Sequence, residues 1–179
     1  IFWASGACFF IRSSVYKELQ GFDADFFAHQ EEIDLCWRAF NKGHVIKFNS
    51  QSVVYHVGGA TLQQGNPKKT FLNFRNSLLM LLKNLPNKKL IPVIFCRLVL
   101  DGIAGIQFLF QGKFKHLLAI LKAHFSFYSL VTEHYKKRDA FQSAKYYKQR
   151  VLYFNITSKL APFLKNDFNK DLYRNLILI

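Results

Sequence analysis

From Phe71 onward the chain is committed to helix. Phe71 to Leu85, Leu90 to Phe110 and Phe114 to about Lys137 each carry apolar residues at helical spacing, with breaks at Pro86, Pro92, Gly112 and Pro162. More than half the chain must therefore bury helical faces against something. The same stretch is strongly basic: residues 67–179 hold 20 Lys+Arg against 5 Asp+Glu, whereas residues 1–66 hold five basic and six acidic residues. An anion-seeking surface is thus expected almost wholly in the C-terminal part, and its partner is a membrane surface, a nucleic acid or a phosphorylated molecule. The boundary falls at Gly65-Asn66-Pro67, a turn signal followed by Lys68-Lys69. We read 1–66 and 67–179 as two regions.

With 50% hydrophobic and 20% charged residues, the chain is not a disordered one. Cys8, Cys36 and Cys96 are odd in number and widely spaced, which makes neither a disulfide framework nor a paired-cysteine zinc site and suits a reducing compartment. The chain opens on the apolar run Ile1-Phe2-Trp3 with no initiator Met, so a preceding N-terminal portion is expected.

The first region reads as mixed α/β. Gly6-Ala7-Cys8-Phe9-Phe10-Ile11, Val45-Ile46-Lys47-Phe48 and Ser52-Val53-Val54-Tyr55-His56 have strand character, the last leading into a Gly58-Gly59 loop. A short helix opens at Ser13-Ser14 and stops at Gly21. A second places Ile33, Trp37 and Phe40 on one face and ends near Gly43. Its first turn holds Glu31, Glu32 and Asp34, at the positive end of the helix dipole. Helix-end decoration accounts for such a cluster taken alone. The approach through Asp23, Asp25, Phe26, Phe27 and His29, however, brings carboxylates and aromatics together, and apolar surroundings raise a carboxyl pKa toward that of a general base. His56, at a strand end before two glycines, is either a structural histidine or a metal or anion contact. His29-Gln30-Glu31 has the His-x-Glu form of zinc deaminases but lacks the following Cys-x-x-Cys; phosphate-loop, dinucleotide and His-Glu-x-x-His patterns are absent.

In the basic region, Arg97 and Asp101 interrupt the most apolar helix and leave uncharged runs of 7 (Leu90–Cys96) and 11 (Gly102–Gly112) residues, short of the roughly 20 a spanning helix needs. An in-plane amphipathic helix is expected, with the Arg97–Asp101 pair on one face and Lys83, Lys88, Lys89, Lys113 and Lys115 at helix ends within reach of lipid phosphates. A basic hairpin packed on the protein's own first region is the plainer alternative.

Taken in order, Trp3-Ala4-Ser5-Gly6-Ala7, Gly21-Phe22-Asp23-Ala24-Asp25-Phe26-Phe27, Gln30 through Arg38, Gly43 and Val54-Tyr55-His56-Val57-Gly58-Gly59 resemble the C-terminal half of the catalytic domain of rhamnosyltransferase-like family 2 glycosyltransferases. Phe74-Arg75-Asn76-Ser77-Leu78 with Lys83 resembles the Arg-Asn helix that follows that core, so the resemblance covers about residues 1–85. It implies an α/β fold, the C-terminal half of a GT-A type nucleotide-diphospho-sugar transferase domain, followed by a mostly helical basic region. It also implies inverting transfer of a sugar from a nucleoside-diphosphate donor to a glycan or lipid-linked acceptor in bacterial surface polysaccharide synthesis. The expected location is cytoplasmic, peripheral to the inner face of the plasma membrane, without a nucleic-acid partner.

By the same resemblance the Glu-Asp pair of the family falls on Glu31-Glu32, making Glu32 the catalytic base, with Glu in place of the commoner Asp. Trp3, Ser5, Gly6 and Ala7 would line the acceptor and donor sugars, Asp34 would fix the helix start or orient the acceptor loop, and Arg75 would contact the diphosphate. His56 falls where some relatives help to hold a divalent metal (Mn²⁺ or Mg²⁺), whose Asp-x-Asp ligands would precede Ile1, so this stretch alone is expected to be inactive. The rival functions are a non-catalytic basic module binding anionic membrane or nucleic acid through Tyr135-Lys136-Lys137-Arg138 and Lys145-Tyr146-Tyr147-Lys148, and a degenerate enzyme kept as a subunit.

Overall fold

A computed structural model describes residues 1–56 and 65–138. Five helices carry the fold: α1 (Ser13–Glu18), α2 (Glu31–Asn41), α3 (Pro67–Asn84), α4 (Asn87–Phe110) and α5 (Phe114–Arg138), with a 3₁₀ turn at Ala24–Phe26 between α1 and α2. The Tyr/Lys-rich tail and the Gly58-Gly59 loop lie outside the described residues.

Local chemistry sets the helix ends. Asn66 caps α3 by accepting from the Lys68 amide at 2.9 Å, and Pro67, which has no amide to leave unpaired, occupies the first turn. Leu85 is extended, as the residue before a proline is driven to be, and Pro86 caps α4. At the far end Gly112 takes φ +67° while the Lys113 amide reaches the Phe108 carbonyl and the Gly112 amide reaches Leu109. That is the paired closure a left-handed glycine permits, and it turns the chain into α5. Pro92, expected as a break, lies inside α4 without interrupting it.

α3 is the central element. It packs along α5 most extensively and also touches α2 and α4. Leu78, Leu79, Leu82 and Leu85 of this helix and its end meet Phe26, Ile33 and Trp37 from the first region and Val93 and Phe127 from the second. The core thus crosses the boundary at residue 66. A smaller cluster of Leu19, Leu35 and Ala39, covered by Phe9 and Val15, packs the other side of α2.

The α/β expectation fails: the described residues contain helices and no strand. Gly6–Ile11, Val45–Phe48 and Ser52–His56 are irregular, with Phe10 97% and Tyr55 95% exposed. A strand must give its amides and carbonyls to a neighbouring strand, and none of these three segments pairs with another. Strand propensity without a partner leaves irregular chain, turned at Ser5–Cys8 and with Phe9 and Ile11 packed on the smaller cluster. The GT-A type half-domain is therefore not the architecture observed.

Candidate functional site

The carboxylate cluster stands at the start of α2, delivered by a loop whose path is set from α3. Phe27, His29 and Gln30 all have positive φ, an unfavourable backbone for side-chain-bearing residues that needs outside support. Asn76 supplies it. Its Nδ2 donates to the carbonyls of Phe26 (2.8 Å), Ala28 (2.9 Å) and His29 (2.7 Å), and the amide is fully buried. Arg75 beside it donates to the Asp25 carbonyl at 2.6 Å and to Asn76 Oδ1 at 2.9 Å. The guanidinium expected to contact a donor diphosphate holds the loop backbone in this structure, and burial draws its pKa down.

Glu32 projects from the first turn against the N-terminal segment. A Cβ placed on Gly6 would lie 3.5 Å from the Glu32 side chain, and the Ala4 amide donates to Cys36 Sγ at 3.4 Å, so residues 3–7 run along α2. Burial raises the Glu32 pKa and the neighbouring Glu31 charge adds to it, against the lowering effect of the backbone amides of Glu32, Gly6 and Ile33. Ser5 Oγ accepts from the Ala7 amide at 3.2 Å, closing a small turn in the segment expected to face the sugars. Among the described residues, Trp3 Nε1, His29 Nε2, Glu31 Oε2 and Glu32 Oε2 are buried polar atoms without a hydrogen-bond partner. His29, Glu31 and Glu32 lie at or just before this helix start and Trp3 in the segment that runs along α2, while Asn41 Nδ2, Asn84 Oδ1 and His134 Nδ1 are unpaired elsewhere. Unpaired polar atoms of this kind are costly unless a ligand or water engages them.

Asp34 is elsewhere occupied. It is fully buried, accepting from Arg38 Nε (2.8 Å), Lys83 Nζ (2.9 Å) and Asn84 Nδ2 (2.7 Å), and so ties α2 to α3 rather than facing a ligand. Arg38 also donates to the carbonyls of Leu19 and Gly21, locking the end of α1 to α2. His56 is exposed, and residues 57–64 after it lie outside the described part.

A second cluster forms around Asp23 and Asp25. Asp23-Ala24-Asp25 has the Asp-x-Asp spelling, and α5 brings His134 to it, with one ligand atom from each residue within 4.8 Å of the others. Lys137 Nζ lies 3.1 Å from Asp23 and 2.5 Å from Asp25, and Lys83 Nζ lies 2.8 Å from Asp23. Burial of Asp23 works to raise its pKa, but the two ammonium groups outweigh it and hold the carboxyl well below the usual range. A divalent cation would have to enter against two lysines, so these residues do not fit one. The cluster is an ion-pair knot joining the 3₁₀ turn to α3 and α5. In sequence only the Asp23-Ala24-Asp25 spelling marks it, since His134 and Lys137 lie more than 100 positions away.

No protein-family model, curated protein or solved structure matches the chain.

Proposed function

We propose that this chain carries the general-base segment of an inverting glycosyltransferase, with Glu32 as the base. The observation that carries the reading is the unpartnered, buried Oε2 of a carboxyl whose pKa burial has raised, set against Gly6 where no side chain intervenes. A raised pKa suits a carboxylate to proton abstraction near neutral pH. The unpaired Trp3 Nε1, His29 Nε2 and Glu31 Oε2 add a donor and acceptors for a polyhydroxyl ligand. The order of motifs from Trp3 to Gly59 supports the same reaction class. The helical architecture lends no support, so the reading rests on the surroundings of Glu32 and on those motifs.

In the reaction, Glu32 takes the proton from an acceptor hydroxyl as that oxygen bonds to the sugar's anomeric carbon. The bond from that carbon to the diphosphate breaks on the opposite face, and the nucleoside diphosphate leaves with the electron pair. Donors would be nucleoside-diphosphate sugars and acceptors a glycan or lipid-linked glycan. No step is assigned to a metal ion.

The test is sugar transfer by the full-length protein with a panel of nucleoside-diphosphate sugars. Glu32→Gln is expected to lower kcat about 10²–10⁴-fold, the usual weight of a positioned general base. Glu31→Gln should cost far less, and unchanged transfer by Glu32→Gln would remove the assignment.

A further inference from the structure

Two apolar stripes on the outside of the α4–α5 hairpin are exposed, with Tyr128 at the end of one resting on the rings of His124 and Phe127. On α4, Ile91, Phe95, Val99, Ile106 and Leu109 repeat at intervals of three, four or seven, so they form one line. Over 18 residues at about 1.5 Å each the line is about 27 Å long. On α5, Phe114, Leu118, Leu121, Phe125 and Tyr128 repeat in the same way. Phe95 is 65% and Phe125 72% exposed, and Phe110 and Phe114 stand out on either side of the Gly112 turn where the helices join. This exceeds the scattered apolar surface of an ordinary soluble face.

Charge identifies the occupant. Residues 87–138 contain nine Lys+Arg and two Asp+Glu, and Lys88, Lys113, Lys115, Lys122 and Lys136 are exposed. Lys115 and Lys122 are seven apart and border the α5 stripe along one edge, where their stems can lie on apolar surface while their ammonium groups reach outward. A second copy of the chain would bring like charge against like charge. A nucleic acid would meet its phosphates with lysine but leave the apolar stripes in water. Only an anionic lipid surface satisfies both the stripes and their lysine border.

The inner face of α4 decides how the hairpin sits. α4 is long and apolar enough to cross a membrane by length and composition. Yet Asp101 is buried between Arg97 (2.7 Å) and His124 of α5 (3.1 Å), and a Cβ on Gly105 would meet Leu117 at 3.1 Å, so α4 and α5 are closely docked through polar and small residues. α5 is in turn held to the rest by Lys137 and by Arg138, which donates to the Leu82 carbonyl and to Asn87 Oδ1. Spanning would strip α4 from these partners. We infer that the α4–α5 hairpin lies flat in the headgroup region of an anionic membrane leaflet, its two apolar stripes sunk toward the acyl chains and Lys115 and Lys122 at the phosphates. The inference is independent of the chemistry at Glu32.

Vesicle flotation of the full chain tests it, with vesicles of phosphatidylcholine alone and of phosphatidylcholine with 30% phosphatidylglycerol. Binding is expected on the anionic vesicles. Phe95→Ser and Phe125→Ser should each weaken it about tenfold, and Lys115→Gln and Lys122→Gln about fivefold each, on the anionic vesicles only. Depth is read with a fluorophore on a cysteine introduced at 91, 99 or 109, in a Cys8→Ser, Cys96→Ser background whose one remaining native thiol, Cys36, is buried, against nitroxide-labelled lipids. A flat hairpin gives the same shallow depth at all three. A depth that peaks at residue 99 would mean spanning and would overturn the inference. So would absence of vesicle binding, insensitivity to the phenylalanine substitutions, or DNA binding that outcompetes the vesicles.

Discussion

Replacing Lys83 by methionine keeps the length and most of the volume of the side chain and deletes one charge from the middle of the fold. The side chain is 2% exposed, and its Nζ lies 2.8 Å from Asp23 and 2.9 Å from Asp34. Asp23, Asp25 and Asp34 face Lys83, Lys137 and Arg38, with the exposed Glu133 at 3.8 Å from Lys137 on the solvent side, so among the buried and half-buried groups three carboxylates balance three cations and the substitution leaves one more negative charge uncompensated. Breaking one side of a buried pair costs about 3–5 kcal/mol. Arg38 and Asn84 still serve Asp34, and Lys137 still serves Asp23, so the low end, about 3 kcal/mol, applies. With a urea slope of about 2 kcal/mol/M, the unfolding midpoint at pH 7 should fall by about 1.5 M. Trp37, buried in the same core, reports the transition by fluorescence, with circular dichroism following the helices. The pH dependence gives a second check. Because the folded-state pKa of Asp23 is depressed, its contribution is fully present above the ordinary carboxylate value of 3.8 and is lost as the pH falls below it. The gap between wild type and Lys83→Met should therefore narrow below about pH 4. A midpoint at pH 7 within about 0.3 M of wild type, or a double-mutant cycle with Asp23→Asn that shows no coupling, would refute the claim that this ammonium holds α2, α3 and the 3₁₀ turn together.

Asn76→Ala removes the buried amide that serves three loop carbonyls, and is expected to cost about 2–3 kcal/mol in urea unfolding and to open residues 22–30 to limited proteolysis. Two glycine substitutions should move stability in opposite directions. Gly21→Ala meets a φ of +66° and the Tyr16 ring at 3.0 Å and should cost about 1–2 kcal/mol, whereas Gly102→Ala meets nothing within 4 Å inside a helix and should add up to about 1 kcal/mol. Glu32 carries a stability penalty of its own: with its folded pKa raised, the native state loses stability as the pH rises from the ordinary carboxylate range through that raised value. Glu32→Gln should therefore raise the thermal midpoint at pH 7 and lose that advantage at low pH; an unchanged difference across pH would show that the carboxyl is not buried as described.

The long helices and their C-terminal ends could be read from the chain because they depend on near neighbours, although α3 and α4 begin at Pro67 and Asn87, earlier than the expected Phe71 and Leu90. Each backbone bond in a helix closes over four residues, and Asn66-Pro67, Leu85-Pro86, Gly43 and Gly112 act within one turn of where they stand. The carboxylates at the start of α2 and the Arg97–Asp101 pair, four residues apart, were legible for the same reason. The fate of Gly6–Ile11 and Ser52–His56 was not, since a strand exists only if a second strand comes alongside, which alternation in one segment cannot establish. Nor were the roles of Asp34, Arg75 and Asn76. Their partners lie up to 50 positions away, and His134 meets Asp25 across 109. Charge at a helix start has the same spelling whether it faces solvent, a substrate or a lysine from another helix. Burial chose among these: packing α3 between α2 and α5 took Asp34 and Asp23 out of water and forced them onto lysines, while Glu32, one turn-edge away, was left with an oxygen to spare.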